Sequence, residues 1–325
     1  MKKFLLSMAV AVTAVFATAQ TKVYSDLLTV SINNSPVQEE IADIDVTTNS
    51  DGTYTLTLRN FILQDEEPMY VGNIIIDNIT TTKEKGVELF SLKRNIVIAE
   101  GDDKNIAWGG PALGEVPIEL AGKMTNDKLY CNISIDLQFM QVGVVFGKDI
   151  VKNTMYTDDL NVSINNNLVQ SERTAINVVE FVDGTYSLAL RNFILQDEEP
   201  MYVGNIIIDN ITTTKEKGVE LFSLKRDIVI AEGDDKNIAW GGPALGEVPI
   251  VLAGKMTDSK LYCNISIDLQ FMQVGVVFGN ESLSGIEEIV GEKGSKTIFD
   301  ITGRRVETVT APGIYIVNGK KVLVK

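Results

Sequence analysis

The string RNFILQDEEPMYVGNIII occupies residues 59–76 and returns at residues 191–208, 132 residues later. No other feature limits the fold as strongly. Residues 59–147 and 191–279 differ at only four of 89 positions, with no insertion: Asn95/Asp227, Glu119/Val251, Asn126/Asp258 and Asp127/Ser259. Upstream, residues 24–58 and 156–190 keep the same offset but match at only 19 of 35 positions. The repeating unit is therefore about 124 residues, the size of a domain rather than of a solenoid repeat. Exact repetition of the acidic turn QDEEP fits a recent duplication; selection on the turn itself is the other explanation.

The diverged part shows how each unit folds. Leu28, Val30 and Ile32 recur as Leu160, Val162 and Ile164, and Tyr54, Leu56 and Leu58 recur as Tyr186, Leu188 and Leu190. The residues between them drift: Thr29/Asn161, Thr55/Ser187, Thr57/Ala189. Ile44/Ile176 and Val46/Val178 are kept in the same way. A preserved face of period two beside a drifting one is a strand with one buried side. Leu129, Cys131, Ile133, Ile135, Leu137 and Phe139 share a face in the nearly invariant part, as do Val116, Ile118 and Leu120. Asp51-Gly52 and Asp183-Gly184 suit tight turns, because both residue types accept positive φ. The spacing predicts about eight short strands per unit in an all-β barrel or sandwich. Leu56 and Leu188 are expected inside, Thr57 and Ala189 outside.

The N-terminus, MKKFLLSMAVAVTAVFATAQ, has a basic start, an apolar stretch and a small-residue cleavage site. It reads as a secretory signal peptide over residues 1–19, too short to span a bilayer. No later run predicts a transmembrane helix. The net charge of −15 argues against nucleic acid and against an anionic membrane face. The chain has no histidine. That removes Ser–His–Asp and Cys–His catalysis and the usual zinc and non-haem iron ligand sets.

With these elements in view, the chain resembles the calycin-like β-barrel domains of secreted Bacteroidetes proteins. The resemblance rests on Y-x-L-x-L-x-N-F (Tyr54 to Phe61), V-G-N-I-x-I (Val71 to Ile76) and the late strand KLYCNISI. It implies two tandem eight-stranded antiparallel, lipocalin-like barrels, at 20–149 and 150–279, and supplies no catalytic residues. A linker at 280–294 and a small β tail at 295–325 follow. The tail resembles a type IX secretion sorting domain, with Phe299, Asp300, Gly303, Arg304, Val306, Gly313, Tyr315 and Lys325 in the matching places. That resemblance implies delivery through the outer membrane with the tail as the address, and the expected location is the cell surface, the medium or the periplasm of a Gram-negative bacterium.

Candidate chemistry is sparse. Cys131 and Cys263, one per unit, lie on apolar strand faces and read as buried thiols, with a disulfide between units the alternative. Asp65, Glu66, Glu67, Glu100, Asp102 and Asp103 are oxygen ligands in loops, but their spacing fits no EF-hand and solvated turns are the default. The loop NIAWGGPALGEVP places Trp108 among glycines. Trp108, with Tyr70 and their copies Trp240 and Tyr202, either lines a barrel mouth open to a small apolar ligand or plugs the barrel. The expected function is a non-enzymatic exported binding protein, for such a ligand or a cell-envelope partner, without cofactor or metal. A structural or adhesive surface protein with solid barrels is the alternative. Val251, where the first unit has Glu119, is either an ordinary exposed valine or the site of a contact with the first barrel, the tail or a partner chain.

Overall fold

The computed structural model describes residues 20–281 apart from 65–67, 138, 197–199 and 270–271, and the backbone of four tail segments. The signal-peptide reading at 1–19 and almost all of the linker at 280–294 lie outside the described residues. The first unit has nine strands: β1 (Gln20–Ile32), β2 (Ser35–Thr48), β3 (Tyr54–Leu63), β4 (Met69–Ile79), β5 (Thr82–Glu84), β6 (Val87–Val97), β7 (Glu115–Met124), β8 (Leu129–Asp136) and β9 (Gln141–Phe146). They form one antiparallel sheet in the order β4-β3-β2-β1-β9-β8-β7-β6-β5. The second unit repeats that order: β10 (Ile150–Ile164), β11 (Asn167–Phe181), β12 (Tyr186–Leu195), β13 (Met201–Ile211), β14 (Thr214–Glu216), β15 (Val219–Val229), β16 (Glu247–Met256), β17 (Leu261–Asp268) and β18 (Gln273–Phe278). The only helical elements among the described residues are 3₁₀ turns at Gly110–Leu113 and Gly242–Leu245. Among its described residues the tail has four short strands where two or three are expected: β19 (Ile298–Asp300), β20 (Arg305–Val306), β21 (Gly313–Val317) and β22 (Lys320–Val324).

The ninth strand of each unit corrects the expected count of eight. β5 is three exposed residues, Thr82–Glu84, folded onto β6 by a turn at Lys85 and Gly86, both at positive φ. Its letters carry no alternation, so periodicity could not reveal it. A second unexpected hairpin joins β1 to β2 through Asn33 and Asn34, at φ 48 and 67, the paired left-handed residues that match the twist of flanking strands.

The interior follows the period-two pattern. Leu28, Val30, Ile44, Leu56, Leu58, Val116, Ile118, Leu120, Ile133 and Ile135 are all buried in the first core. Their copies fill the second, and Cys131 and Cys263 are buried free thiols within them. The two thiols sit in separate cores, which sets aside a bond between the units. The ladder does not run unbroken round the barrel. Its edge strand β4 meets the segment just after β6 through a bridge between Asn73 and Ala99, with hydrogen bonds of 2.9 and 3.0 Å.

The two units touch. A small cluster joins Val87 of the first to Ile150, Val179 and Phe181, with Tyr130 packed against it. Around it, Lys123 bonds the Ile150 carbonyl at 2.9 Å, Lys128 meets Asp209 at 2.8 Å, and the Asn153 N–H donates to the Lys85 carbonyl at 3.1 Å. Asp127, whose side chain is wholly covered, pairs with Arg191 and accepts from Asn177 at 3.3 Å. This contact corrects one expectation, and its limits decide another. Ala189 is on the outer side of its strand, as the alternation requires, but only 2% of it is exposed. Its sheet partner Asn177 holds Asp127 of the first unit, so the outer face here is a covered joint. Val251 is 43% exposed, and Glu119 is exposed too, bound to Lys93 across the strand pair. Among the described residues no contact covers Val251; it is an ordinary surface valine.

Candidate functional site

The four aromatic candidates come together as two equal pairs. Tyr70 and Trp108 lie edge to face, 6.1 Å between ring centroids and 80° between planes, and Tyr202 and Trp240 repeat this at 6.1 Å and 81°. The Trp108 indole N–H donates to the Asp103 carbonyl at 2.8 Å, so its polar edge is used within its own loop. The ring lies on Gly101, where a methyl group would come within 2.2 Å of the indole. Trp108 is half-buried against this loop and is not among the residues of the barrel core. Tyr70 stays exposed.

The loop is fastened by a clasp of three polar side chains. Asn60 sits at φ 50 where the register of β3 slips between Leu58 and Phe61. Its N–H donates to Asn73 Oδ1 at 2.7 Å, and its own Oδ1 accepts the Asp102 N–H at 2.6 Å. The Asn73 amide donates to Asp102 at 3.0 Å. The hydrogen bond from Asn73, opposed by slight desolvation and helped by Arg59, holds the Asp102 carboxyl below its ordinary pKa. The second unit repeats the clasp with Asn192, Asn205 and Asp234. Gly72 lies beside it at φ 118, where any side chain would strike the Ala99 carbonyl at 2.2 Å. These contacts employ Asp102 as a structural acceptor. Asp103 likewise caps its own turn through the Asn105 N–H at 2.9 Å. Asp65, Glu66 and Glu67 lie outside the described residues, and no metal-holding cluster of carboxylates exists among those described.

A small cavity in the second core, against Tyr186, Phe222 and Met256, measures about 10 Å³, room for at most about one water. Burial raises the pKa of the Cys131 and Cys263 thiols to about 12 and keeps them unreactive. Tyr24 is buried in the first core with its hydroxyl donating to the Thr125 carbonyl at 2.7 Å, and Tyr156 in the second donates to the Thr257 carbonyl at 2.7 Å.

An open concavity lies on the outside. An open groove of about 450 Å³ crosses the outer face of β2 and β3 in the first unit, lined by Val23, Ile41, Asp43, Arg59, Asn60 and Ile62 among others. Beside it Leu27 faces Ile41 directly across the β1–β2 ladder, and the two are 40% and 71% exposed. The second unit places Asp159 opposite Arg173 at the same register. Sequence reasoning missed this groove and the joint, because both are made of outward residues that it read as drift. The signal was present in the substitutions themselves: Leu27/Asp159 with Ile41/Arg173, and Thr47/Val179 with Asn49/Phe181.

Comparison with known proteins agrees with this architecture. The family model described as "Calycin-like beta-barrel domain" matches residues 21–148 and again 153–281. No curated protein matches the chain. Among solved structures, a Bacteroides fragilis protein titled a "putative outer membrane protein" is 15% identical, with a TM-score of 0.29, over 79% of this chain and 96% of that one. No helix among the described residues is long and apolar enough to cross a membrane.

Proposed function

Because the chain belongs to the calycin-like β-barrel domain family, as two tandem copies, and because apolar side chains pack both cores, we propose that it is a non-enzymatic envelope or surface protein that works through its outer faces. The observation that carries this reading is the contrast between a core cavity of about 10 Å³ and an outer groove of about 450 Å³. An enclosed ligand site has a volume of about 300–1,000 Å³. The filled interior favours the solid-barrel alternative over carriage of an apolar molecule inside. The groove in the first unit, with apolar Val23, Ile41 and Ile62 beside acidic Asp43 and Asp45, and with exposed Leu27 next to it, suits contact with an envelope component. The lack of histidine and the structural employment of Asp102 and Asp103 support the absence of catalysis. The signal-like N-terminus and the sorting-like tail support export.

Native mass spectrometry of the full chain purified without detergent tests this. The expected mass is that of the polypeptide alone. A stoichiometric lipid that survives gentle ionisation and is lost on unfolding would overturn the solid-barrel reading. Protease shaving of intact cells tests the location: the expected result is release of fragments from both barrels.

A further inference from the structure

The contact between the barrels is heterologous. The end of the first unit formed by residues 85–87 and 123–130 meets the outer face of the second formed by residues 177–191. Two unequal surfaces on a repeated unit allow the contact to recur: the free end of unit two has the shape to meet the free face of unit one in another chain. Joints of this kind give open filaments when they do not close into a ring. We infer that this chain is built to stop at two units. Each half of the joint is complete on only one unit, and the unused copy of each half is altered in a way that opposes joining.

The unused end is residues 217–219 and 255–262. Asp127, the covered partner of Arg191, is there Ser259, which carries no charge for an arginine. Asn126, whose carbonyl accepts from Lys22 and Arg191, is there Asp258, fully exposed. These are two of the four differences in 89 otherwise identical positions, and they are adjacent. Among the described residues the same end is open: a methyl group on Gly218 would meet none of them within 4 Å, whereas one on Gly86 would strike the Asn153 carbonyl at 2.2 Å.

The unused face is residues 45–59. Val179 and Phe181, buried in the joint, are there Thr47 and Asn49, and covered Ala189 is Thr57. Asn177, which donates to Asp127, is there Asp45. This last change redirects the arginine. Arg59 is held by its own unit's Asp45 at 2.7 Å, while Arg191 reaches across to Asp127 and back to Asp234. A repeated joint would therefore lack the apolar cluster and its central ion pair. It would also bring Asp258 and Asp45 to positions that hold Asn126 and Asn177 in the existing joint, and like charges at an interface suppress the wrong pairing.

Sedimentation velocity on the full chain tests this. One variant restores the face (Asp45→Asn, Thr47→Val, Asn49→Phe, Thr57→Ala), and a second restores the end (Asp258→Asn, Ser259→Asp). The unchanged chain and each variant alone are expected at the mass of one chain. An equimolar mixture of the two variants is expected to associate, raising the weight-average mass up to about twofold. A chain carrying all six changes is expected to form longer species. Adding Arg59→Ala to the face variant is expected to weaken the mixed complex at least tenfold. A mixture that stays at single-chain mass, with both variants folded by circular dichroism, would overturn the inference. So would self-association of the unchanged chain that is abolished by Lys260→Glu at its free end. If the face variant fails to fold, Asp45→Asn with Asn49→Phe, mixed with the end variant, gives the same two outcomes.

Discussion

The two barrels are alike inside and unlike outside. Over β4 to β9 and β13 to β18 they share nearly every letter, and their cores are filled by equivalent residues. Over the outward positions of β2 and β3 against β11 and β12 they part company. The first unit shows Asp45, Thr47, Asn49 and Thr57 to solvent or partly so; the second buries Val179, Phe181 and Ala189 under its neighbour. Inward positions are held by packing that a single methylene disturbs, so copies cannot drift there without loss. Outward positions are free until a neighbour arrives, and then they answer to that neighbour. Divergence between duplicated domains therefore marks where their environments differ, and here the mark coincides with the joint.

The largest effects should be blind to which barrel is hit. Leu56→Ala and Leu188→Ala each remove a fully buried side chain and should each cost about 2–5 kcal/mol in urea unfolding. A difference of more than about 2 kcal/mol between them would show that the cores are not equivalent after all. Next comes a substitution that separates the barrels. Phe181→Ala should cost about 3 kcal/mol by opening the joint, while Asn49→Ala at the matching place loses only its side-chain hydrogen bonds to Thr53 and Thr55 and should cost about 1 kcal/mol. Differential scanning calorimetry reads this directly, as one thermal transition broadening into two only for the phenylalanine variant. A smaller effect follows for Asp127→Asn. It leaves Arg191 with Asp234 as its remaining carboxylate partner and should cost about 1–3 kcal/mol. Ser259→Asn, its counterpart, should be neutral in the same urea titration.

The smallest effect is electrostatic. A hydrogen bond from Lys148, aided by Thr185, holds the Asp183 carboxyl down to about 2. Asp51, its counterpart, has no lysine partner among the described residues and is lowered by hydrogen bonds from Thr53 and from its own backbone. A depressed carboxyl supports the fold above its unfolded pKa, and the support is lost as pH falls through the folded value. The window here runs from about pH 4 down to about 2. Both groups are exposed, so the stability at stake is small. Carboxyl titration by NMR should place Asp183 below Asp51. Lys148→Ala should bring Asp183 up towards Asp51 and leave Asp51 unmoved.

Much of the fold was legible because β-structure with one buried face writes itself in alternate letters. Leu28, Val30, Leu56, Ile133 and their copies declared the cores before any coordinates. What stayed hidden obeys other physics. β5 is too short to show a period, and the Asn33-Asn34 turn carries its signal in backbone conformation rather than hydropathy. The clasp of Asn60, Asn73 and Asp102 joins residues 13 to 42 positions apart. The aromatic candidates were found as residues, and the structure supplied their pairing with Tyr70 beside Trp108. The joint was hidden most thoroughly, because Ala189 and Asn177 read as outward residues and are so; only a second body makes them interior.

Near identity also has a cost while the chain is folding. In each unit the last strand returns to pair with the first: Leu28 to Ile32 lies against Phe146 to Val142, and Leu160 to Ile164 lies against Phe278 to Val274. The facing residues are the same in both ladders except for Thr29 and Asn161. β1 therefore has almost no local means of telling β9 from β18. What favours the right partner is chain length, since reaching β18 closes a loop roughly twice as long as reaching β9. A doubling adds only about 0.6 kcal/mol of closure entropy, less than a threefold bias. A newborn chain that completes its first barrel before the second has emerged never meets the choice. A chain refolding from denaturant meets it every time, with exchanged strands as the wrong answer.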